Sequence, residues 1–179
     1  DFGKTQGHVV NCQTCVVAFE ARLRGYDVEA TPRTGKNSMQ EALAHNPAKA
    51  WIDPATGKNP VPIVNDAKKV RTAKQTRQWL EDNVEQDGRY EFAHGYKGTD
   101  GRNGHIVTVS RDKSGNLSIY DPQSGKTYAG DALDKYISRV RMTYNAGWLG
   151  TMPRGRLIRV DNLRLDEAMV NAILKGAGK

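Results

Sequence analysis

Two short stretches late in the chain constrain its fold more than anything else in it. His105-Ile106-Val107-Thr108-Val109-Ser110-Arg111 and Leu117-Ser118-Ile119-Tyr120-Asp121 are rich in β-branched residues and alternate along their length. Between them, Asp112-Lys113-Ser114-Gly115-Asn116 supplies the side chains of a tight turn. The three segments together predict an antiparallel hairpin with its turn centred near residue 113.

Upstream the pattern is helical. Residues 12–24 predict a helix with Asn11 at the N-cap and Gly25 at the left-handed position beyond the C-terminus. Cys12, Cys15, Val16, Phe19 and Leu23 recur at helical spacing and predict its core face. A short strand follows over 26–30, and Ser38 with Glu41 forms a capping box for a helix ending before Pro47. Residues 48–64 carry Pro54, Gly57, Pro60 and Pro62 and read as a long surface loop. A longer helix spans 72–84, closed by Asp87-Gly88, and a strand covers 89–93. After the hairpin come a helix over 131–137, a strand over 156–160 and a last helix capped by Asp166. Early helices followed by an antiparallel sheet give an α+β fold, and 179 residues suit one domain spanning 1–179.

The chain carries a net charge of +7, from 27 basic and 20 acidic residues. Its basic residues are scattered, in one cluster at Lys68, Lys69, Arg71, Lys74 and Arg77 and another at Arg154, Arg156 and Arg159. Neither has the interleaved aromatics of a single-strand-binding face, which argues against nucleic acid and for an acidic protein partner or a solvated surface. No apolar run approaches the roughly 20 residues that span a bilayer, so no membrane role is expected. A chain opening at Asp1 with no initiator Met reads as the C-terminal part of something longer.

Cys12 and Cys15 are its two cysteines, too few for a disulfide framework, and no Cys or His pair stands nearby to complete a zinc site. Cys12 would be the first helical residue, where unpaired backbone N–H groups and the positive end of the helix dipole favour a thiolate. The same position equally suits a small apolar residue on the core face. The hairpin supplies what a cysteine nucleophile needs beside it. With the turn near residue 113, His105 falls nearly opposite Asp121 on one face, and a carboxylate there can orient an imidazole and stabilise its cation. His94, just after the strand over 89–93, competes with His105 but has no carboxylate at comparable register. His8 and His45 fit less well.

These residues also carry a family resemblance. Asn11-Cys12-Gln13-Thr14-Cys15-Val16-Val17-Ala18-Phe19-Glu20, Gly104-His105 and Asp121-Pro122-Gln123-Ser124-Gly125 occur in the order of an Asn-Cys helix start, a Gly-His strand and an Asp-x-Gln after the next strand. The chain thereby resembles the papain-fold glutamine-deamidase toxins of bacterial polymorphic toxin systems, and Arg159-Val160-Asp161-Asn162-Leu163 also resembles the end of such domains. The resemblance implies a papain-like fold in which a nucleophile-bearing N-terminal helix packs on an antiparallel sheet. It implies a Cys12–His105–Asp121 triad that converts a protein glutamine to glutamate, with no cofactor and no metal.

The Cys12 backbone N–H is one expected oxyanion donor. Gln6, Asn11 and Gln123 are candidates for a second donor or for orienting the site. The resemblance further implies a secreted or injected toxin of interbacterial competition that acts in the target-cell cytoplasm and has a cognate immunity protein. Other chemistries share these residues. A cysteine protease or transglutaminase would use the same triad, a thiol–disulfide oxidoreductase would use Cys12 with Cys15, and a basic nucleic-acid-binding domain would use none of them.

Overall fold

The computed structural model describes residues 11–32, 38–98 and 104–177. Along the chain, helix α1 (Cys12–Leu23) leads into strand β1 (Asp27–Ala30), helix α2 (Met39–His45), a 3₁₀ turn (Pro47–Ala50) and strand β2 (Trp51–Ile52). Strand β3 (Ile63–Val64), helix α3 (Ala73–Asn83), β4 (Arg89–Tyr96), β5 (Gly104–Arg111), β6 (Leu117–Asp121) and β7 (Lys126–Ala129) follow. Helix α4 (Asp131–Arg139) comes next, then β8 (Val140–Arg141), β9 (Thr143–Asn145), β10 (Thr151–Pro153) and β11 (Arg156–Arg159). The chain closes with β12 (Arg164–Leu165), α5 (Glu167–Ile173) and β13 (Leu174–Ala177).

Local chemistry explains the helix ends. Ser38 Oγ accepts from the Glu41 N–H at 3.2 Å, and Asp166 Oδ1 accepts from the Met169 N–H at 3.0 Å. Thr72 and Gln75 form a reciprocal capping box at the start of α3. Gly25 takes φ +86° just past α1, where a side chain would clash with the turning backbone.

The described residues fall into two compact units. One draws on Asp1–Val61, Asp121–Gly125 and Asn162–Lys179. In it α1 packs on α2 and β1, α2 packs on α5, and β1 pairs antiparallel with β13. Trp51 is fully buried here, with the Arg24 guanidinium 5.1 Å above its ring. Residues 48–64 were expected to be a surface loop. Instead Ala48, Ala50 and Trp51 join the core, because β2 pairs with β12 and draws the segment inward.

The face of α1 also differs from expectation. Gln13, Thr14, Val16, Val17, Ala18, Glu20 and Ala21 are buried, whereas Leu23 is 53% exposed and Cys12, Cys15 and Phe19 are only partly covered. A charged residue can occupy the buried face because Glu20 is neutralised by Arg24, whose Nη1 lies 2.6 Å from its carboxylate.

The other unit, Pro62–Tyr120 with Lys126–Asp161, is built on an antiparallel sheet ordered β3-β11-β4-β5-β6-β7, with β8 beside β4. Helices α3 and α4 cover one face. Leu80, Leu133, Tyr136 and Ile137 pack against Phe92, Val107, Val109, Leu117 and Ile119 in one apolar cluster. Strand β4 runs on to Tyr96, three residues past its expected end, so His94 lies inside the strand. The expected hairpin forms with a five-residue loop centred on Ser114, one residue later than expected, between Arg111↔Leu117. The β5–β6 pairing runs from Arg111↔Leu117 to Thr108↔Tyr120, and on the other edge of β5 His105 pairs with His94 of β4.

Candidate active site

Cys12 is the first residue of α1, and the helical hydrogen bonds begin with the Cys15 N–H donating to the Asn11 carbonyl at 3.0 Å. The N–H groups of Cys12, Gln13 and Thr14 therefore have no partner within the helix and converge at its N-terminus, the arrangement that can receive an oxyanion. Asn11 occupies the N-cap position, but its side chain makes no capping bond. Its Nδ2 donates to the Thr31 carbonyl at 2.6 Å and its Oδ1 accepts from the Thr14 hydroxyl. Fully buried, Asn11 clamps the start of α1 to the segment after β1. Gln13, which the sequence did not single out, accepts a weak bond from the Cys12 thiol at 3.4 Å and donates to the Gln40 carbonyl at 3.3 Å. A glutamine at the second position of a helix reads as solvent-exposed in a sequence, and only its burial reveals this contact.

Three residues along α1, Cys15 lies in a different electrostatic setting. Burial pushes its thiol up to about 12, with the charges of Cys12 and Asp121 adding to the shift and Arg22 opposing it. Cys15 is therefore a neutral thiol across the physiological range. Both cysteines are free. The influence of Asp121 on Cys15 also puts that carboxylate in the electrostatic neighbourhood of the helix start.

Asp121 ends β6 and is 7% exposed. Its Oδ1 accepts from the Gln123 N–H at 3.0 Å and its Oδ2 from the Ser124 hydroxyl at 2.9 Å, while the Gly125 N–H closes the turn on its carbonyl at 2.8 Å. The Asp-Pro-Gln-Ser-Gly motif is thus a turn wrapped around one carboxylate, which fixes its direction. Gln123 contributes to that turn through its backbone.

His105 stands on β5 across from His94 on β4, with ring centroids 6.0 Å apart. His94 is buried, its Nδ1 against the Gly95 carbonyl at 2.9 Å and its Nε2 against the Tyr136 hydroxyl at 2.8 Å. With a carbonyl on Nδ1, that nitrogen carries the proton and Nε2 accepts from the tyrosine. His105 is partly exposed, and Tyr96 stacks on its ring at 5.7 Å with an interplanar angle of 28°. Neither Tyr96 nor Tyr136 stands out in the sequence, because β4 continues past residue 93 without a local signal and the contact of Tyr136 with His94 joins residues 42 apart.

The structure gathers Asn11, Cys12, Asp121 and Gln123 in one unit and holds His105 in the other. Gln6 lies outside the described residues. Among the described residues no group of His, Cys, Asp or Glu is arranged to hold a metal ion, and no helix is long and apolar enough to cross a membrane.

The family model described as papain fold toxin 1, glutamine deamidase, matches residues 10–126, which take in α1, the His105 strand and the Asp121 turn. No curated protein matches the chain.

Proposed function

We propose that this chain, which belongs to the papain fold toxin 1, glutamine deamidase family, hydrolyses the side-chain amide of a protein glutamine through Cys12, His105 and Asp121. The observation that carries this reading is the contrast within α1. Cys12 stands at the open N-terminus of the helix, while Cys15, with its thiol near 12, is held as an unreactive partner.

In the proposed cycle the Cys12 thiolate attacks the amide carbon of the glutamine side chain, and the carbonyl π electrons move onto oxygen. The N–H groups at the start of α1 stabilise that oxyanion. As the tetrahedral intermediate collapses, its C–N bond breaks and His105 delivers a proton to the leaving nitrogen, releasing ammonia and a thioester on Cys12. His105 then takes a proton from water, whose oxygen attacks the thioester carbon. The C–S bond breaks, glutamate leaves and the thiolate returns. Asp121 keeps the imidazole in the productive tautomer and stabilises its cation. Asn11 sets the helix start, and Gln123 shapes the Asp121 turn. Release as part of a larger toxin, action inside a target cell, and inhibition by an acidic cognate immunity protein that covers the cleft complete the reading.

Ammonia release from benzyloxycarbonyl-Gln-Gly tests it. The wild-type protein should release ammonia, and Cys12→Ala should not. Cleavage of a peptide chain without ammonia release would favour the protease alternative on the same fold.

A further inference from the structure

Residues 143–153 form an arm outside the main sheet. Among the described residues strands β9 and β10 pair only with each other, through Thr151↔Asn145 and Pro153↔Thr143. At the tip, Trp148 is 93% exposed and Leu149 is 56% exposed. An indole left in water at a hairpin tip is costly for a chain with no use for it, and tryptophan and arginine dominate the energetics of protein interfaces. The arm is also embedded in one sign of charge. From residue 135 to residue 156 there are five basic side chains (Lys135, Arg139, Arg141, Arg154 and Arg156) and no acidic one. Four of the five are arginines, whose planar forks match carboxylates bidentately.

Both feet of the arm are rooted beside His105. On the incoming side Arg141 pairs with Gly95. On the outgoing side the Arg154 side chain lies over Gly95 and Gly104, so closely that a Cβ on Gly95 would stand 2.8 Å from its Cδ and one on Gly104 would stand 3.0 Å from its Nη2. Gly95 and Gly104 are cross-strand partners, and the next pair in the ladder is His94 with His105. The arm therefore grows from the end of the sheet that carries the proposed proton carrier.

We propose that this arm docks the protein that bears the target glutamine, by seating Trp148 in an apolar recess whose rim is acidic. The inference rests on the deamidase reading. A glutamine side chain alone offers an enzyme little to select, and an apolar anchor on an arm rooted at Arg141 and Arg154, beside His105, supplies affinity for one class of protein surface.

The test compares wild-type protein with Trp148→Ser and Trp148→Phe on two sources of glutamine: the proteins of a bacterial extract, scored by mass spectrometry as deamidated sites, and benzyloxycarbonyl-Gln-Gly. The arm predicts that Trp148→Ser loses about tenfold or more on extract proteins while its rate on the short peptide changes far less, and that Trp148→Phe keeps most of both. Raising sodium chloride to about 0.5 M should produce the same selective loss, because the acidic rim is screened. Equal loss on both substrates, or no loss on either, overturns the proposal. So does co-sedimentation of wild-type protein, but not Trp148→Ser, with phosphatidylserine vesicles when extract deamidation is unchanged. Wild-type protein that turns over neither substrate overturns the deamidase reading itself, and with it the assignment of the arm to a substrate.

Discussion

His94 and His105 face each other across β4 and β5 with their rings 6.0 Å apart, and His94 is buried with one ring nitrogen against the Gly95 carbonyl and the other against the Tyr136 hydroxyl. In the proposed reading the buried imidazole packs the core, and the partly exposed imidazole beside it carries the proton to the substrate.

The two histidines therefore separate by readout. His105→Ala should lower turnover by about 10²–10⁴-fold with little change in thermal stability. His94→Ala should leave the Tyr136 hydroxyl without its partner and cost about 1–3 kcal/mol of stability, with turnover per folded molecule largely kept. Thermal melts and steady-state rates on the same samples check both. A stable, inactive His94→Ala beside an active His105→Ala would exchange their roles.

The cysteines separate by pH. The Cys15 thiol, pushed up to about 12, stays protonated at neutral pH, so iodoacetamide should label Cys12 in the folded protein and spare Cys15 until the pH nears that value. The sign for stability follows from the raised pKa. The contribution of Cys15 to stability is fully present below its ordinary value of 9.0 and is lost as pH rises through the folded value. Cys15→Ser should remove that alkaline loss, read from urea midpoints across the same range, and should keep activity. Rapid labelling of Cys15 at neutral pH, with Cys12 untouched, would contradict the assignment.

Asp121 has two jobs, and its substitution should show both. Its carboxylate holds the Gln123 N–H and the Ser124 hydroxyl, so Asp121→Ala should loosen the turn and cost about 1–3 kcal/mol of stability. In activity it should cost less than His105→Ala, and the double variant should be little worse than His105→Ala alone, because residues that act as a unit are strongly non-additive. Multiplicative losses in the double variant would mean that the two residues act independently.

Much of this was legible in the sequence, for identifiable reasons. Caps, turns and β-branched alternation are local signals, so α1, α2, α3, α5 and the β5–β6 hairpin fall where those signals put them. Cys12 at the helix start and Asp121 at the strand end follow from the same signals. What failed depends on distant partners. Trp51 is buried because β2 meets β12 far along the chain, and no local signal in a Pro-rich stretch announces that. The buried face of α1 was misread because Glu20 counts as polar until Arg24 neutralises it. The hairpin turn lies one residue later than expected, which sets Leu117 against Arg111 and Tyr120 against Thr108, while His94 pairs with His105 from the other edge of β5. Asn11 was read as a capping residue, but its side chain is bound to Thr31 and Thr14.

The most direct measurement of the central claim is mass spectrometry of target-cell proteins exposed to the wild-type chain and to Cys12→Ala. Deamidation replaces an amide NH₂ by OH, so the account predicts a gain of about 1 Da at a glutamine, with no break in the chain, in samples exposed to wild-type protein and in none exposed to Cys12→Ala. Cleaved chains without mass-shifted glutamines, or mass-shifted glutamines that persist with Cys12→Ala, would contradict it.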